Sequence, residues 1–132
     1  FVLCSPERCM AKILVIDDDP YCVSLLKIAF EQSGHTAFTA TNGKIGLQAA
    51  CAEPFDLIIT DILMPEKDGL ELILELKKHK PDVKVIAISG GGVLHTGDCL
   101  KMAKLFGAQH VMGKPLDINK LVQLANELIS PA

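Results

Sequence analysis

The sequence predicts a doubly wound α/β domain, with a five-stranded parallel sheet and alternating helices on both faces. Short, almost entirely apolar runs recur along the chain, and such runs are typical of strands that are buried on both faces. Segments with helical spacing of apolar residues separate these runs. Strands that alternate with helices form parallel sheets with right-handed crossovers, which gives the predicted architecture.

The composition narrows the class of protein further. Forty-nine per cent of the 132 residues are hydrophobic and 22% are charged, as in ordinary globular domains. A net charge of −3 and the lack of a Lys/Arg cluster give no reason to expect nucleic-acid binding. No apolar run approaches the roughly 20 residues that span a bilayer. The five cysteines include no Cys-x-x-Cys pair, so we interpret them as thiols in a reducing cytoplasm.

The first predicted strand, Lys12–Ile16, is an apolar run that ends in Asp17, Asp18 and Asp19. Asp19 before Pro20 is a helix start, because a carboxylate caps the first turn and proline suits the first helical position. That assignment leaves the other two aspartates without a structural role. The helix is predicted over 20–32, with Val23, Leu26, Ala29 and Phe30 facing inward.

The segment before this strand has no clear periodicity and precedes a methionine. We expect Met10 to be the natural start, and residues 1–9 to be an upstream extension that is too short for a signal peptide. The folded domain is expected over 10–130.

The rest of the chain continues the alternation of strand and helix. The further strands are predicted at Thr36–Ala40, Leu57–Thr60, Val83–Ser89 and His110–Gly113, and the further helices at 43–52, 69–80, 96–106 and 118–129. Gly46 lies inside the second helix and should lower the stability of that helix by about 1 kcal/mol relative to alanine. We therefore expect it to be the least stable of the predicted helices. The third helix is predicted to turn Leu70, Ile73, Leu74 and Leu76 inward.

Polar residues follow the predicted strands at the positions where each strand ends. In an open parallel sheet all these carboxyl ends lie on one edge, where ligands bind. Three carboxylates in one cleft repel each other, which raises their pKa values, and a divalent cation removes the repulsion. Oxygen ligands alone suit Mg²⁺ or Mn²⁺. The residues brought to this edge are Asp17, Asp18, Asp61, Ser89 and Lys114.

This set of residues suits the transfer of a phosphoryl group onto Asp61. A carboxylate is already ionised and needs no general base to act as the nucleophile. Phosphoryl transfer asks the protein mainly for positioning and charge compensation, which the metal, Lys114 and Ser89 would supply.

Four stretches carry a resemblance to a known family: Ile-Leu-Val-Ile-Asp-Asp-Asp-Pro at 13–20, Phe-Asp-Leu-Ile-Ile-Thr-Asp-Ile-Leu-Met-Pro-Glu-Lys-Asp-Gly at 55–69, Ile-Ala-Ile-Ser at 86–89 and Gly-Lys-Pro-Leu at 113–116. The chain resembles the receiver domain of two-component response regulators, a flavodoxin-like fold of the chemotaxis-regulator type. The resemblance extends from Ala11 to about Ile129.

The resemblance implies a role for each residue at the sheet edge. Asp61 is implied to be the phosphoacceptor, Ser89 the switch hydroxyl and Lys114 the phosphate-binding lysine, followed by a cis bond to Pro115. The implied metal ligands are Asp17, Asp18, Asp61 and the backbone carbonyl of Leu63.

The resemblance also implies partners. A sensor histidine kinase or a histidine phosphotransfer protein would donate the phosphoryl group, and an unidentified downstream protein or output domain would respond. The chain would then be a signalling switch rather than a turnover enzyme, and a homodimer could form through the fourth helix, fifth strand and fifth helix.

The sequence departs from the family's pattern at Val111, where the switch mechanism uses an aromatic residue. Gly90 and Gly91 follow the switch hydroxyl, so we expect the loop and the fourth helix to move instead. Two alternatives stay open. One is a small aspartyl-phosphate phosphohydrolase of the haloacid-dehalogenase type, although Tyr21 replaces the Thr or Val of that motif. The other is a pseudo-receiver that serves only as an interaction module.

Overall fold

The sheet has five parallel strands in the order β2-β1-β3-β4-β5, which confirms the predicted class. A computed structural model of the chain describes residues 11–62, 69–89, 101, 103–114 and 116–129. The strands are β1 Lys12–Ile16, β2 Thr36–Ala40, β3 Leu57–Asp61, β4 Lys84–Ser89 and β5 His110–Gly113. The helices are α1 Pro20–Gln32, α2 Gly43–Ala52, α3 Gly69–His79, α4 for the helical residues 101 and 103–106, and α5 Ile118–Ile129.

The predicted boundaries differ from the observed ones by one residue at three places. Strand β3 continues to Asp61, which pairs with Ile88 of β4. Strand β4 begins at Lys84, and helix α3 ends at His79. The predicted extension 1–9 and the predicted beginning of the fourth helix lie outside the described residues.

Two hydrophobic layers enclose the sheet, because successive side chains of a strand point to opposite faces. Leu14 and Ile16 of β1 pack in the layer that also contains residues of α2, α3 and α4. Ile13 and Val15 pack in the layer with α1 and α5. The three central strands β1, β3 and β4 are therefore buried on both faces, as their apolar runs predicted, whereas the edge strands β2 and β5 are partly exposed.

The ends of α1 follow from its sequence. Asp19 is the N-cap, and its side chain accepts a hydrogen bond from the backbone N–H of Tyr21 at 3.0 Å. The helix ends before Gly34, whose φ of 96° is a left-handed conformation that glycine adopts without a steric penalty. These observations confirm the predicted N-cap and the predicted C-terminal end of the helix. They also leave Asp17 and Asp18 outside the helix.

Helix α3 differs from its predicted packing. Leu72, Ile73 and Leu76 are fully buried, whereas Leu74 is 49% exposed. The prediction that Leu74 faces inward is therefore wrong, and Leu72 was missed. The apolar residues of this helix could form either of two apolar stripes along its surface. The stripe that packs against the sheet contains residues 72, 73 and 76.

A buried histidine joins the beginning of β1 to α5. His35 is 6% exposed, and its Nδ1 atom accepts a hydrogen bond from the backbone N–H of Ala11 at 3.3 Å. Nε2 therefore carries the hydrogen and donates to Asn126 Oδ1 at 2.7 Å. His35 therefore has a structural role.

Gly46 of α2 lies at a close approach of the helix to the sheet. A Cβ atom at this position would lie 2.5 Å from Cδ1, 2.8 Å from Cγ1 and 3.2 Å from Cγ2 of Ile16. Ile16 is only 1% exposed and has little room to move. Helix propensity alone misses this contact, which explains why glycine occupies a helix interior here.

We expect Gly46→Ala to lower the free energy of unfolding by about 1–2 kcal/mol, because overpacking outweighs the gain in helix propensity. The loss should become smaller in an Ile16→Val background, which lacks Cδ1 but keeps both γ carbons. Urea unfolding of the two single variants and the double variant measures this coupling. Gly113→Ala is the matched control, since a Cβ atom there meets nothing within 4 Å; equal losses in both backgrounds would contradict the steric explanation.

Candidate functional site

The residues that follow the strands are held in place by backbone hydrogen bonds that extend the sheet. The N–H of Asp17, after β1, donates to the carbonyl of Ala40 at 3.1 Å. The N–H of Lys114, after β5, donates to the carbonyl of Ser89 at 2.9 Å. These bonds fix both backbones at the carboxyl edge, on either side of the central strand β3.

Three aspartates meet at this edge. Asp17 and Asp61 are 2% and 4% exposed, whereas Asp18 is open to solvent. One oxygen from each of the three carboxylates lies within 4.8 Å of the other two. Carboxylate oxygens at this spacing, with one of them accessible from solvent, fit a small divalent cation.

Lys114 connects the two buried carboxylates. Its Nζ atom lies 2.9 Å from Oδ2 of Asp17 and 3.5 Å from Oδ2 of Asp61. Burial disfavours the charged amine, but the hydrogen bond to Asp17 and the charges of both aspartates outweigh burial and raise the pKa of Lys114. Lys114 is therefore a fixed positive charge at the site.

The Asp17 carboxylate has several donors. Its Oδ1 accepts from the backbone N–H of Asp19 at 3.0 Å, and its Oδ2 accepts from Lys114. Burial acts to raise the pKa of Asp17, but these hydrogen bonds, with one from the Cys22 thiol, lower it overall. The prediction that crowding raises the carboxylate pKa values is wrong for Asp17, because its donors compensate the negative charge.

Ser89 carries a buried hydroxyl that has no hydrogen-bond partner among the residues that the structure describes. The residue is 1% exposed, and its Oγ atom makes no hydrogen bond to any residue that the structure describes. Leaving a buried hydroxyl unpaired costs about 1–3 kcal/mol. A hydroxyl kept in this state at a functional edge is available for an acceptor that arrives from outside.

The predicted switch elements are only partly described. Val111 is half-buried and packs against the layer of core residues that includes Leu14 and Ile16. Leu63, Gly90, Gly91 and Pro115 lie outside the described residues, so their predicted roles stay predictions.

Sequence reasoning missed Cys22. This residue is 9% exposed at the first turn of α1, near the Asp17 carboxylate that acts on its thiol. Burial, together with Asp17, raises the pKa of the Cys22 thiol to about 12. The signal in the sequence was weak, because a cysteine among apolar helix residues is ordinarily a small core residue.

The raised pKa predicts slow alkylation of Cys22. Treatment with iodoacetamide at about pH 8 should label Cys51, which is exposed, and leave Cys22 unmodified, because the thiolate is the reactive form. Raising the pH should increase the labelling of Cys22, and unfolding should expose both thiols. Peptide mass mapping measures this, and equal rates for the two thiols in the folded protein at pH 8 would contradict the prediction.

Fold and site together define a doubly wound α/β domain whose carboxyl edge holds an acidic pocket paired with a lysine. The family model for the response regulator receiver domain matches residues 13–126. The chain belongs to the response regulator receiver family, the signalling proteins of two-component systems.

Individual relatives agree with this assignment. The chain is 35% identical over 120 residues to the DNA-binding transcriptional regulator NtrC of Azospirillum brasilense, covering 91% of this chain and 24% of that protein. Its fold matches a CheY-like receiver domain protein from Methanospirillum hungatei with a TM-score of 0.84 and 27% identity, covering 91% and 94%. It also matches the response regulator TrrA from Thermotoga maritima, in complex with Mg²⁺-BeF, with a TM-score of 0.79 and 31% identity, covering 90% and 99%.

The chain spans about a quarter of the length of the NtrC protein that it matches. None of the helices in the described ranges is long and apolar enough to cross a bilayer.

Proposed function

We propose that Asp61 accepts a phosphoryl group from a phosphohistidine of a sensor histidine kinase or a phosphotransfer protein, and that the phosphorylated domain controls a downstream protein or output domain. The observation that carries this proposal is the charge arrangement at the carboxyl edge. The Asp61 carboxylate is buried within 3.5 Å of the Lys114 ammonium, beside two further aspartates and an unpaired hydroxyl.

The transfer step follows from these positions. An Asp61 oxygen attacks phosphorus, the new P–O bond forms as the P–N bond to the donor imidazole breaks, and the imidazole keeps the electron pair. Lys114 compensates the negative charge on the phosphoryl oxygens during the transfer. Its position favours such a role, since its Nζ atom already lies 3.5 Å from Oδ2 of the nucleophile Asp61.

The donor set supports Mg²⁺, or Mn²⁺, as the metal. Asp17, Asp18 and Asp61 would hold it, with the Leu63 carbonyl as the fourth predicted ligand. The TrrA relative was crystallised in a complex with Mg²⁺-BeF. When bound, the cation would supply charge compensation for the aspartates and for a phosphoryl oxygen.

The switch would begin at Ser89. Its unpaired hydroxyl would donate a hydrogen bond to a phosphoryl oxygen on Asp61, which would draw the end of β4 toward the site. Because Val111 offers no aromatic ring, the movement would pass through Gly90 and Gly91 to the fourth helix.

The surface of α4, β5 and α5 is the proposed output and dimer surface, in a cytoplasmic protein. A cavity of about 540 Å³ lies there, lined by His110, Val111, Met112, Gly113, Asp117, Lys120 and Leu124. On this surface Leu105 of α4 is 79% exposed, and Leu124 of α5 is partly buried against the core.

A protein donor has to approach Asp61 across neighbouring elements, and α1 offers an apolar surface for that contact. Tyr21, Leu25 and Ile28 are 76%, 42% and 54% exposed at spacing i, i+4 and i+7. Such a stripe on one helix face suits contact with a partner helix.

Leu25→Glu should slow phosphoryl transfer from the cognate protein donor by about tenfold or more, as expected for an apolar contact at a protein interface. The rate with acetyl phosphate should stay unchanged, because the small donor needs no docking surface. Ile45→Glu is the matched control, since Ile45 is an equally exposed apolar residue on α2. Equal slowing by the two variants, or slowing with acetyl phosphate, would contradict a docking role for α1.

Incubation with acetyl phosphate and Mg²⁺ tests the proposed function. We expect one phosphoryl adduct by intact mass, which EDTA prevents. Steady release of phosphate from several small phosphoesters would instead favour the phosphohydrolase. Bound Mg²⁺ without any adduct would favour the pseudo-receiver.

A further inference from the structure

Strand β2 lies at one edge of the sheet. Among the strands that the structure describes, it pairs only with β1. The backbone N–H of Thr36 donates to the carbonyl of Ala11 at 2.9 Å, and the carbonyl of Ala40 also accepts a hydrogen bond on the side of β1. Residues two apart in a strand turn their backbone groups to the same side. The backbone groups of Ala37 and Thr39 therefore point away from β1, toward the open edge.

A lysine from helix α1 occupies this open edge. Nζ of Lys27 donates to the outward-facing carbonyl of Ala37 at 3.1 Å, and it lies 3.5 Å from Oε2 of Glu31, one turn further along the helix. Unpaired backbone groups at a sheet edge can pair with a strand of another molecule, and lysine side chains commonly protect such edges. The ammonium of Lys27 lies where an incoming strand would have to bind.

The open edge is complementary to the same edge of a second copy. A twofold axis at Phe38 would make two β2 strands antiparallel, with the outward groups of Ala37 opposite those of Thr39 in the other copy. The half-buried Phe38 would then lie opposite its own counterpart, and aromatic pairs across antiparallel strands stabilise the pairing. The sequence of β2, Thr-Ala-Phe-Thr-Ala, includes no charge that would oppose this arrangement.

We propose that the outer edge of β2 is a self-pairing surface, and that Lys27 prevents two copies of the domain from joining there. To form such a dimer, each copy would have to withdraw its ammonium from the Ala37 carbonyl. The inference does not depend on phosphoryl transfer, because Lys27 and the outward groups of β2 lie outside the acidic site.

Lys27→Met removes the ammonium and keeps the hydrocarbon part of the side chain. Sedimentation velocity of the unphosphorylated chain over a range of concentrations measures the dimer Kd. We expect Lys27→Met to lower this Kd by about tenfold or more, because two lysine hydrogen bonds no longer oppose pairing. Lys27→Arg keeps a charged donor and should sediment like wild type. Lys44→Met is the matched control, since it makes the same change on the exposed surface of α2, and it should also sediment like wild type.

A second substitution locates the interface. Thr39→Pro removes an outward-facing N–H and leaves the hydrogen bonds to β1 in place, and proline is tolerated on edge strands in that orientation. Added to Lys27→Met, it should restore the sedimentation of wild type, with circular dichroism as the check of folding. Thr39→Lys serves the same purpose if proline disturbs the strand, because Thr39 is exposed and lysine opposes edge pairing.

Three results would overturn the proposal. An unchanged dimer Kd in Lys27→Met would show that the lysine does not protect the edge. An equal decrease in Lys44→Met would attribute association to the loss of any surface charge. A dimer that persists in the folded double variants would place the association elsewhere on the surface.

Discussion

Asp61→Asn should reduce phosphoryl uptake by at least about 10³-fold, because removal of a catalytic nucleophile costs this much or more. The amide oxygen is neutral and far less nucleophilic than a carboxylate oxygen, while its size is almost the same. Removing one of the clustered negative charges should leave the fold intact. Intact mass after incubation with acetyl phosphate and Mg²⁺ measures the uptake.

Asp82→Asn is the matched control, since Asp82 is an exposed aspartate beside the first residue of β4, at the amino edge of the sheet. It should take up the phosphoryl group at the wild-type rate. Uptake by Asp61→Asn at a comparable rate would mean that another residue accepts the group.

Lys114→Met should lower the free energy of unfolding by about 3 kcal/mol, because it leaves buried carboxylates without their cation. Asp17 and Asp61 are almost inaccessible to solvent, so water cannot replace the ammonium. This loss is at the lower end of the range for breaking a buried ion pair, because the lysine side chain is still 24% exposed to solvent. Urea unfolding measures this change in stability. The variant should also lose most of its phosphoryl uptake.

Two comparisons identify the cause of this loss. Adding Asp17→Asn to Lys114→Met should recover a large part of the stability, because it removes one of the uncompensated charges. Lys44→Met, on the exposed surface of α2, should change stability by no more than about 0.5 kcal/mol. If the double variant were less stable than Lys114→Met, charge compensation would not be the role of Lys114.

The placement of the site residues could be predicted because it depends on topology. In a parallel sheet, a residue that directly follows a strand lies at the carboxyl edge whatever its side chain does. Asp17, Asp18 and Lys114 follow strands, Asp61 and Ser89 are the last residues of strands, and the structure brings all five to that edge. The fold class was predictable for a similar reason, since burial on both faces leaves continuous apolar runs in the sequence.

The contacts between side chains could not be predicted in the same way. The approach of Gly46 to Ile16 depends on the distance between α2 and β1, which helix propensity does not contain. The lowered pKa of Asp17 depends on the backbone N–H of Asp19 and on the Lys114 ammonium, which lies 97 residues further along the chain. The inward phase of α3 was misjudged at Leu74 because the leucines of that helix are compatible with more than one stripe.

Localising the phosphoryl group is the most direct test of the central claim that Asp61 is the phosphoacceptor. The protein is phosphorylated with acetyl phosphate and Mg²⁺, reduced with borohydride, which converts an aspartyl phosphate to homoserine, and digested for tandem mass spectrometry. We expect homoserine at position 61 and unmodified aspartate at positions 17 and 18. Homoserine at another aspartate, or phosphate on a histidine with Asp61 unchanged, would contradict the proposed function.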